Sequence, residues 1–181
     1  MRKTFFTLAL IFIFSASTQA QVARQVARPD YTNDTKDINS ILIALYDVIS
    51  GEPGEARDWN RFYNLFTEDA KLIATSTNKS RSKKGYDYYS SKSYQENFVA
   101  SRSNVGFYEV ELNRVVEQFG AIAHVWSTYE TREFKDGPPT NRGINSIQLL
   151  NMDGRWYVMN IYWSSENDGF TLPPAYIIRR D

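Results

Sequence analysis

The last third of the chain carries two long β-rich runs, Ala121–Lys135 and Gly143–Ser165. The second run is interrupted by the tetrapeptide Asn151–Gly154. Asp-Gly between alternating apolar and polar residues is a strong hairpin signal, because glycine adopts the positive φ that the bulged turn requires. Together with a preceding run over Phe107–Gln118, the pattern predicts four successive antiparallel strands. Such a meander must cover one face of its sheet with another layer.

Apolar residues with helical spacing occupy the first half of the chain. A first helix is predicted to begin at Asn33 or Asp34, either of which can cap it, and to end at Gly51. Its buried positions recur with the 3.6-residue period and are Ile38, Ile41, Leu42, Leu45 and Ile49.

Two further helices and one short strand are predicted before the meander. The second helix begins near Glu55, the strand spans Lys71–Thr75, and Ser93 and Glu96 have capping-box spacing for the third helix. Helices first and a meander last predict an α+β domain, with about three N-terminal helices packed on one face of a curved antiparallel sheet.

The first 20 residues have the pattern of a signal peptide. Arg2 and Lys3 precede the apolar run Phe5–Phe14, and Thr18-Gln19-Ala20 fits a small-residue cleavage site. The apolar run is shorter than the roughly 20 residues that span a bilayer, so no membrane anchor is expected. Cleavage after Ala20 would export the protein to the periplasm or the medium. The predicted organisation is a signal peptide at 1–20, a flexible leader at 21–33, one domain at 34–168 and a tail at 169–181.

Composition argues against several classes of function. Loss of Arg2 and Lys3 leaves 19 basic against 21 acidic residues, which disfavours nucleic acid as a partner. The chain has no cysteine and one histidine, His124, so thiolate chemistry and multi-histidine metal sites are excluded. A phosphate-binding glycine loop and a Gly-x-Ser-x-Gly elbow are also missing. We therefore expect neither a cofactor nor a metal.

Alternation along the strands predicts which side chains face the helices. In the last hairpin the more apolar set is predicted to face inward: Asn145, Ile147, Leu149, Tyr157, Met159, Ile161 and Trp163. The opposite set is predicted to face outward: Ile144, Ser146, Gln148, Leu150, Trp156, Val158, Asn160 and Tyr162. Because Trp126 needs burial more than Ser127, His124, Trp126, Thr128 and Glu130 are also assigned inward, with Val110 and Leu112 beside them. A bulge would exchange these faces downstream of it.

Local matches give the chain a family resemblance. Asp58-Trp59 followed by Leu65–Ala70 resembles the second helix and first strand of the nuclear-transport-factor-2-like superfamily, which includes the SnoaL-like proteins. Gly120–Ala123 resembles its central hairpin and Asp153–Trp156 its last one. The resemblance covers about residues 34–166 and implies a cone-shaped sheet wrapped around the helices. The runs 127–132 and 142–148 are similar to an uncharacterised exported bacterial subgroup.

The resemblance leaves several functions open, since the superfamily contains isomerases, dehydratases, cyclases, epoxide hydrolases and non-catalytic binding or assembly domains. With an aromatic content of 15%, an aromatic-lined pocket is the first expectation. The predicted pocket residues are Trp59, Tyr63, His124, Trp126, Thr128, Glu130, Asn145 and Trp163. For catalysis, the candidates are Glu130, Asp58 and His124, although a surface ion pair of Glu130 with Arg132 and a core histidine are plainer interpretations.

The leading hypothesis is an exported protein that binds a small, largely apolar molecule carrying one or two polar groups. One alternative is an isomerase-, dehydratase- or cyclase-type enzyme that uses a pocket carboxylate. Another is a dimeric assembly module. The apolar residues assigned to the outer sheet face predict a homodimer through that face, as the resemblance also implies. The competing explanation is that the segment 170–178 folds back over the same face.

Overall fold

The computed structural model describes residues 29–80 and 82–177. The predicted signal peptide therefore lies outside the described residues. The elements in chain order are α1 (Thr32–Thr35), α2 (Ile38–Asp47), α3 (Trp59–Asn64), β1 (Phe66–Thr75), β2 (Tyr86–Tyr89), α4 (Ser91–Arg102), β3 (Tyr108–Phe119), β4 (Ile122–Arg132), β5 (Pro139–Met152) and β6 (Arg155–Ser165). Two short 3-10 turns follow, Glu166–Asp168 and Pro174–Tyr176.

Short polar side chains set the start of each longer helix. The Asp37 carboxylate accepts the Ser40 backbone N–H and caps α2. The predicted caps, Asn33 and Asp34, instead lie in the short helix α1 that precedes it. Asp58 caps α3 in the same way through the Arg61 N–H. In α4 the capping box is formed by Ser90 and Ser93. Each cap satisfies a backbone N–H that the helix leaves free.

The strands form one six-stranded sheet in the order β2-β1-β6-β5-β4-β3. The meander β3–β6 is antiparallel throughout, as predicted. β1, however, pairs in parallel with β6, so the sheet is mixed rather than purely antiparallel. This arrangement brings the strand that follows α3 beside the last strand of the chain and confirms the predicted α+β fold.

A bulge in β6 corrects the predicted facing of the last hairpin. Gln148 pairs with Asn160 and Leu149 with Val158, so Met159 is the extra residue. N-terminal to the bulge the faces are exchanged: Trp156 and Val158 are buried in the core, whereas Met159 is 40% exposed. The outward assignment of Trp156 and Val158, and the inward assignment of Tyr157 and Met159, were therefore wrong.

The facing of β4 is also opposite to the prediction. Ala123 and Val125 belong to the hydrophobic core, and Ser127 contacts Tyr46 of α2, so the odd-numbered residues face the helices. His124, Trp126, Thr128 and Glu130 consequently lie on the outer face. The core that the inner face helps to form contains Ile41, Leu42, Leu45, Phe62, Leu65, Phe66, Leu72, Val125, Ile147, Leu149, Trp156 and Val158, among others.

The C-terminal segment, residues 170–177, lies against part of the outer face. Leu172 is buried, its backbone N–H donates to Glu166 Oε1 at 3.0 Å, and Glu166 also pairs with Arg142 of β5 at 2.9 Å. The Tyr176 ring lies 6.3 Å from the Trp126 ring. Between this segment and the sheet runs a mostly apolar groove of about 240 Å³. No helix among the described residues has the length and apolar character needed to cross a membrane.

Candidate functional site

A cavity of about 510 Å³ lies between the helices and the inner face of the sheet. This volume is within the range of small-molecule sites. Its apolar wall is built largely from aromatic rings, namely Phe62, Phe66, Tyr89, Tyr94, Phe98, Phe107, Tyr129 and Trp163. The Tyr94 ring stacks on Phe62 at 5.5 Å and meets Trp163 edge-on at 6.3 Å. Rings fixed by such contacts form a preformed apolar surface.

The carboxyl group of Glu109 lines this cavity. Glu109 stands on β3 opposite Thr131 of β4, whose side chain lines the same wall. The Glu109 backbone N–H donates to Ser50 Oγ at 3.0 Å, and Asn145 Nδ2 donates to Glu109 Oε1 at 3.3 Å. The strand ladder and these two bonds hold the carboxyl group in place.

Burial raises the pKa of Glu109 to about 7, because the protein around it replaces the water that would stabilise its charge. The hydrogen bond from Asn145 and the positive charge of Arg102 oppose this rise. The side chain is only half-buried, because it borders an open cavity, but protein atoms surround it on the other sides. Near neutral pH the carboxyl group therefore exists in both protonation states.

A chain of hydrogen bonds behind the cavity orients Asn145. Ser127 donates its only hydroxyl hydrogen to the Glu111 carboxylate, which is paired with Arg114. The Tyr46 hydroxyl, 2.6 Å from Ser127 Oγ, must then be the donor to Ser127. Tyr46 consequently accepts from Asn145 Nδ2 at 3.1 Å, so the amide nitrogen of Asn145 faces both Tyr46 and Glu109.

The hydroxyl groups of the cavity region stay protonated. Burial raises the pKa of Tyr46, of Tyr94 and of Tyr129 above the ordinary tyrosine value, and the nearby charge of Glu109 adds to each rise. The three groups therefore act as neutral hydrogen-bonding groups near pH 7.

The mouth of the cavity is polar and mostly acidic. Asp87, Glu133 and Asp168 line it, together with the guanidinium of Arg102. The Arg102 guanidinium carbon lies 4.6 Å from the centroid of the Phe107 ring, over its face. Among the described residues, no group of three or more histidine, aspartate or glutamate side chains is arranged to hold a metal ion.

Of the predicted pocket residues, Asn145 and Trp163 line the cavity. Trp59 packs against the core, with its ring 5.4 Å from Phe62, and Tyr63 donates its hydroxyl to Gln95. Neither of these two is part of the cavity wall.

The four predicted β4 residues lie on the outer face instead. His124 Nε2 is 3.0 Å from Ser146 Oγ, and Glu130 is paired with Arg132, two residues further along the strand. Trp126 lines the groove under the C-terminal segment, and Thr128 is buried. The structure therefore does not bring these side chains together with Asn145 and Trp163.

Asp58, the remaining catalytic candidate, is the N-cap of α3. It accepts the Arg61 backbone N–H at 3.0 Å and the Tyr31 hydroxyl at 2.7 Å. The backbone hydrogen bond from Arg61 is the main cause of a lowered pKa for this carboxyl group. It lies outside the cavity wall.

Sequence reasoning missed Glu109. Because Val110 and Leu112 are apolar, they were assigned inward, and strand alternation then assigned Glu109 and Glu111 to the face away from the helices. The structure places Val110 38% exposed, and the register between β3 and β4 shifts at Leu112. Glu109 and Glu111 alternate along β3 and lie opposite Thr131 and Tyr129 of β4. This alternation could have identified Glu109 as a cavity residue only if the inward-facing residues of β4 had been assigned correctly.

Comparison with known proteins identifies the fold. No family model matches the sequence, and no curated protein matches it either. A protein of unknown function with a cystatin-like fold from Nostoc punctiforme superposes with a TM-score of 0.55 at 12% identity, over 71% of this chain and 87% of the other. A nuclear-transport-factor-2-like protein of unknown function from Silicibacter pomeroyi gives 0.50 at 10% identity, over 70% and 91%.

A candidate scytalone dehydratase from Novosphingobium aromaticivorans also superposes, with a TM-score of 0.50 at 14% identity, over 71% of this chain and 80% of the other. At these identities the likeness concerns the fold alone. The curved, open six-stranded sheet around N-terminal helices agrees with it. The chain has the nuclear-transport-factor-2-like fold that its sequence resembles.

Proposed function

We propose that this protein binds a small, largely apolar molecule in the cavity between the helices and the sheet. The aromatic rings pack against the apolar body of the ligand. Glu109 and Asn145 bind its polar group, since the Asn145 amide and the Glu109 carboxyl group are both fixed by hydrogen bonds before any ligand enters. Binding to such a prearranged site loses little conformational freedom.

The observation that carries this proposal is the combination of a cavity of about 510 Å³, eight aromatic rings in its wall and the half-buried carboxyl group of Glu109. Protein interiors are normally packed without voids of this size. A concave space that combines aromatic rings with polar groups able to orient a ligand is the usual form of a ligand site.

The test uses N-phenyl-1-naphthylamine, a neutral dye that fluoresces when it leaves water. We expect the purified protein to bind this dye saturably. Ala74 of β1 lines the cavity, so Ala74→Phe should fill part of it and weaken dye binding at least about tenfold. Ala121 is exposed in the turn between β3 and β4, and Ala121→Phe is the matched control. Equal binding by both variants, or no binding by the parent protein, would contradict the proposal.

Acid–base catalysis is the second candidate function, and one observation favours it. A carboxyl group whose pKa is about 7 can both accept and donate a proton at neutral pH. An isomerase- or dehydratase-type reaction would use Glu109 in this way, with Tyr94 or Tyr129 donating a hydrogen bond to the substrate oxygen. If so, turnover on a ring-containing ketone or alcohol should be lost in Glu109→Gln and kept in His124→Ala.

Export and self-association belong to the same proposal. The pattern of the first 20 residues supports export to the periplasm or the medium, where the cavity would meet its ligand. N-terminal sequencing of secreted protein should begin at Gln21, and a full-length cytoplasmic product would contradict export. Trp156 and Val158 face the core, so the proposed homodimer rests on the remaining apolar residues of the outer face, Ile144, Leu150 and Tyr162, and the C-terminal segment would compete for the same surface.

A further inference from the structure

The cavity carboxylates differ from the other partly buried carboxylates of this protein. Elsewhere such groups are matched with arginine: Glu111 with Arg114, Glu130 with Arg132, Glu166 with Arg142 and Asp34 with Arg61. In the cavity, the partly buried Glu109 makes no ion pair within the described residues; at the mouth, Asp87 and Glu133 are exposed to water and Asp168 accepts the Ser76 hydroxyl, also without an ion pair there. A carboxylate removed from water without a counter-charge is costly, so its lack of one calls for an explanation.

Arg102 does not supply the missing counter-charge. Its guanidinium lies over the Phe107 ring, 4.6 Å from the centroid, and the side chain is exposed. The charge of Arg102 offsets only part of the rise in the pKa of Glu109, because burial is the larger effect. The cavity and its mouth thus hold four carboxyl groups and one arginine.

The rings around Glu109 are themselves suited to positive charge. The faces of tyrosine, tryptophan and phenylalanine attract ammonium groups, most strongly where water is excluded. An acidic mouth in a low-dielectric cleft also raises the local concentration of cations. The same cavity would repel an anionic ligand.

From these observations we propose that the ligand is an organic cation, an amine or quaternary ammonium compound with an apolar body. Its charged group lies against the Glu109 carboxylate, and its apolar part packs among the aromatic rings. This inference rests on the proposed binding function and names the chemical class of its ligand.

Cation binding must then be coupled to protonation of the cavity. The charged and titratable groups around Glu109 are Arg102 and Tyr94 of α4, Tyr46 of α2, Tyr129 of β4 and Glu111 of its own strand, together with the mouth residues Asp87, Glu133 and Asp168. The three tyrosines stay neutral around neutral pH, because burial raises the pKa of each. A bound cation favours the ionised form of Glu109, so binding releases a proton and strengthens as the pH rises through 7.

Three probes of similar shape test the charge preference: 2-phenylethylammonium, 2-phenylethanol and 3-phenylpropanoate, each competing with the naphthylamine dye. At pH 8 we expect the ammonium to bind at least about tenfold more tightly than the alcohol, and the carboxylate to bind most weakly. Between pH 8 and pH 6 the ammonium affinity should fall about tenfold, since alkylammonium groups stay charged throughout this range while Glu109 becomes protonated.

Two glutamine variants locate the effect. Glu109→Gln should bind the ammonium and the alcohol equally at both pH values and still take up the dye. Glu117→Gln makes the same change on the same strand at an exposed position outside the cavity, and it should behave like the parent protein. Equal binding of ammonium and alcohol by the parent protein, tightest binding of the carboxylate, or an ammonium preference that survives in Glu109→Gln would overturn the inference. Each of these results leaves dye binding in place; a parent protein that takes up no dye contradicts the proposed function itself.

Discussion

Glu109 gives the structure a specific pH dependence of stability. The pKa of its carboxyl group rises from an ordinary value of 4.5 to about 7 in the folded protein. The folded state therefore holds this proton more tightly than the unfolded state does. Stability is highest below the unfolded pKa and falls as the pH rises from 4.5 through about 7, which is the opposite of the usual behaviour of paired carboxylates.

The size of the effect follows from the two pKa values. Each tenfold difference in proton affinity is worth about 1.4 kcal/mol, so ionised Glu109 lowers the free energy of unfolding by about 3 kcal/mol at high pH. Between pH 5.5 and pH 8.5 the loss is about 2 kcal/mol. Water at the open cavity screens part of the charge, so we expect a change of about 1–2 kcal/mol across this interval.

Glu109→Gln isolates this contribution. Glutamine keeps the shape of the side chain and can still accept the Asn145 N–H, but it does not ionise. In urea denaturation, the unfolding free energy of the variant minus that of the parent protein should increase by about 1–2 kcal/mol as the pH is raised from 5.5 to 8.5. Glu117→Gln is the control, because that side chain is exposed on the same strand. If the stabilities of parent protein and Glu109→Gln run parallel across this pH interval, the account of Glu109 is refuted.

Three further changes test other contacts. Ser127→Ala removes the buried hydroxyl between Tyr46 and Glu111 and should cost about 1–3 kcal/mol of unfolding free energy, measured in urea. Gly143→Ala would place a Cβ atom 2.3 Å from the Ser164 carbonyl oxygen, so a loss of about 1–3 kcal/mol or more is expected in the same assay. Removal of residues 170–181 uncovers the groove on the outer sheet face, and the truncated protein should self-associate more strongly in light scattering than the full chain.

Each of these predictions has a clear negative result. A Ser127→Ala protein as stable as its parent would mean that the hydroxyl chain behind Asn145 contributes nothing. An unchanged unfolding free energy for Gly143→Ala would show that β5 and β6 can move apart at that point. An identical mass for the truncated and full-length proteins would indicate that the C-terminal segment does not cover an association surface.

Local sequence determined the strands of the meander and most of the element order. The alternating runs, the Asp-Gly turn and the helical spacing from Ile38 to Ile49 are short-range signals, because propensity, turn conformation and capping act between residues close in the chain. The same signals, with the motifs around Trp59 and Trp156, were sufficient for the nuclear-transport-factor-2-like fold.

Which face of each strand borders the cavity was decided by tertiary structure. The extra residue at Met159 exchanges the faces of β6, and no local pattern marks it, because Trp156 and Tyr157 are equally suited to either side. For β4, the burial of Trp126 was the deciding argument, but the C-terminal segment covers that ring from the outer face. Glu109 became a candidate only once this was known. A one-residue change of register reverses every side chain beyond it, so the identity of the site depends on contacts between residues distant in the chain.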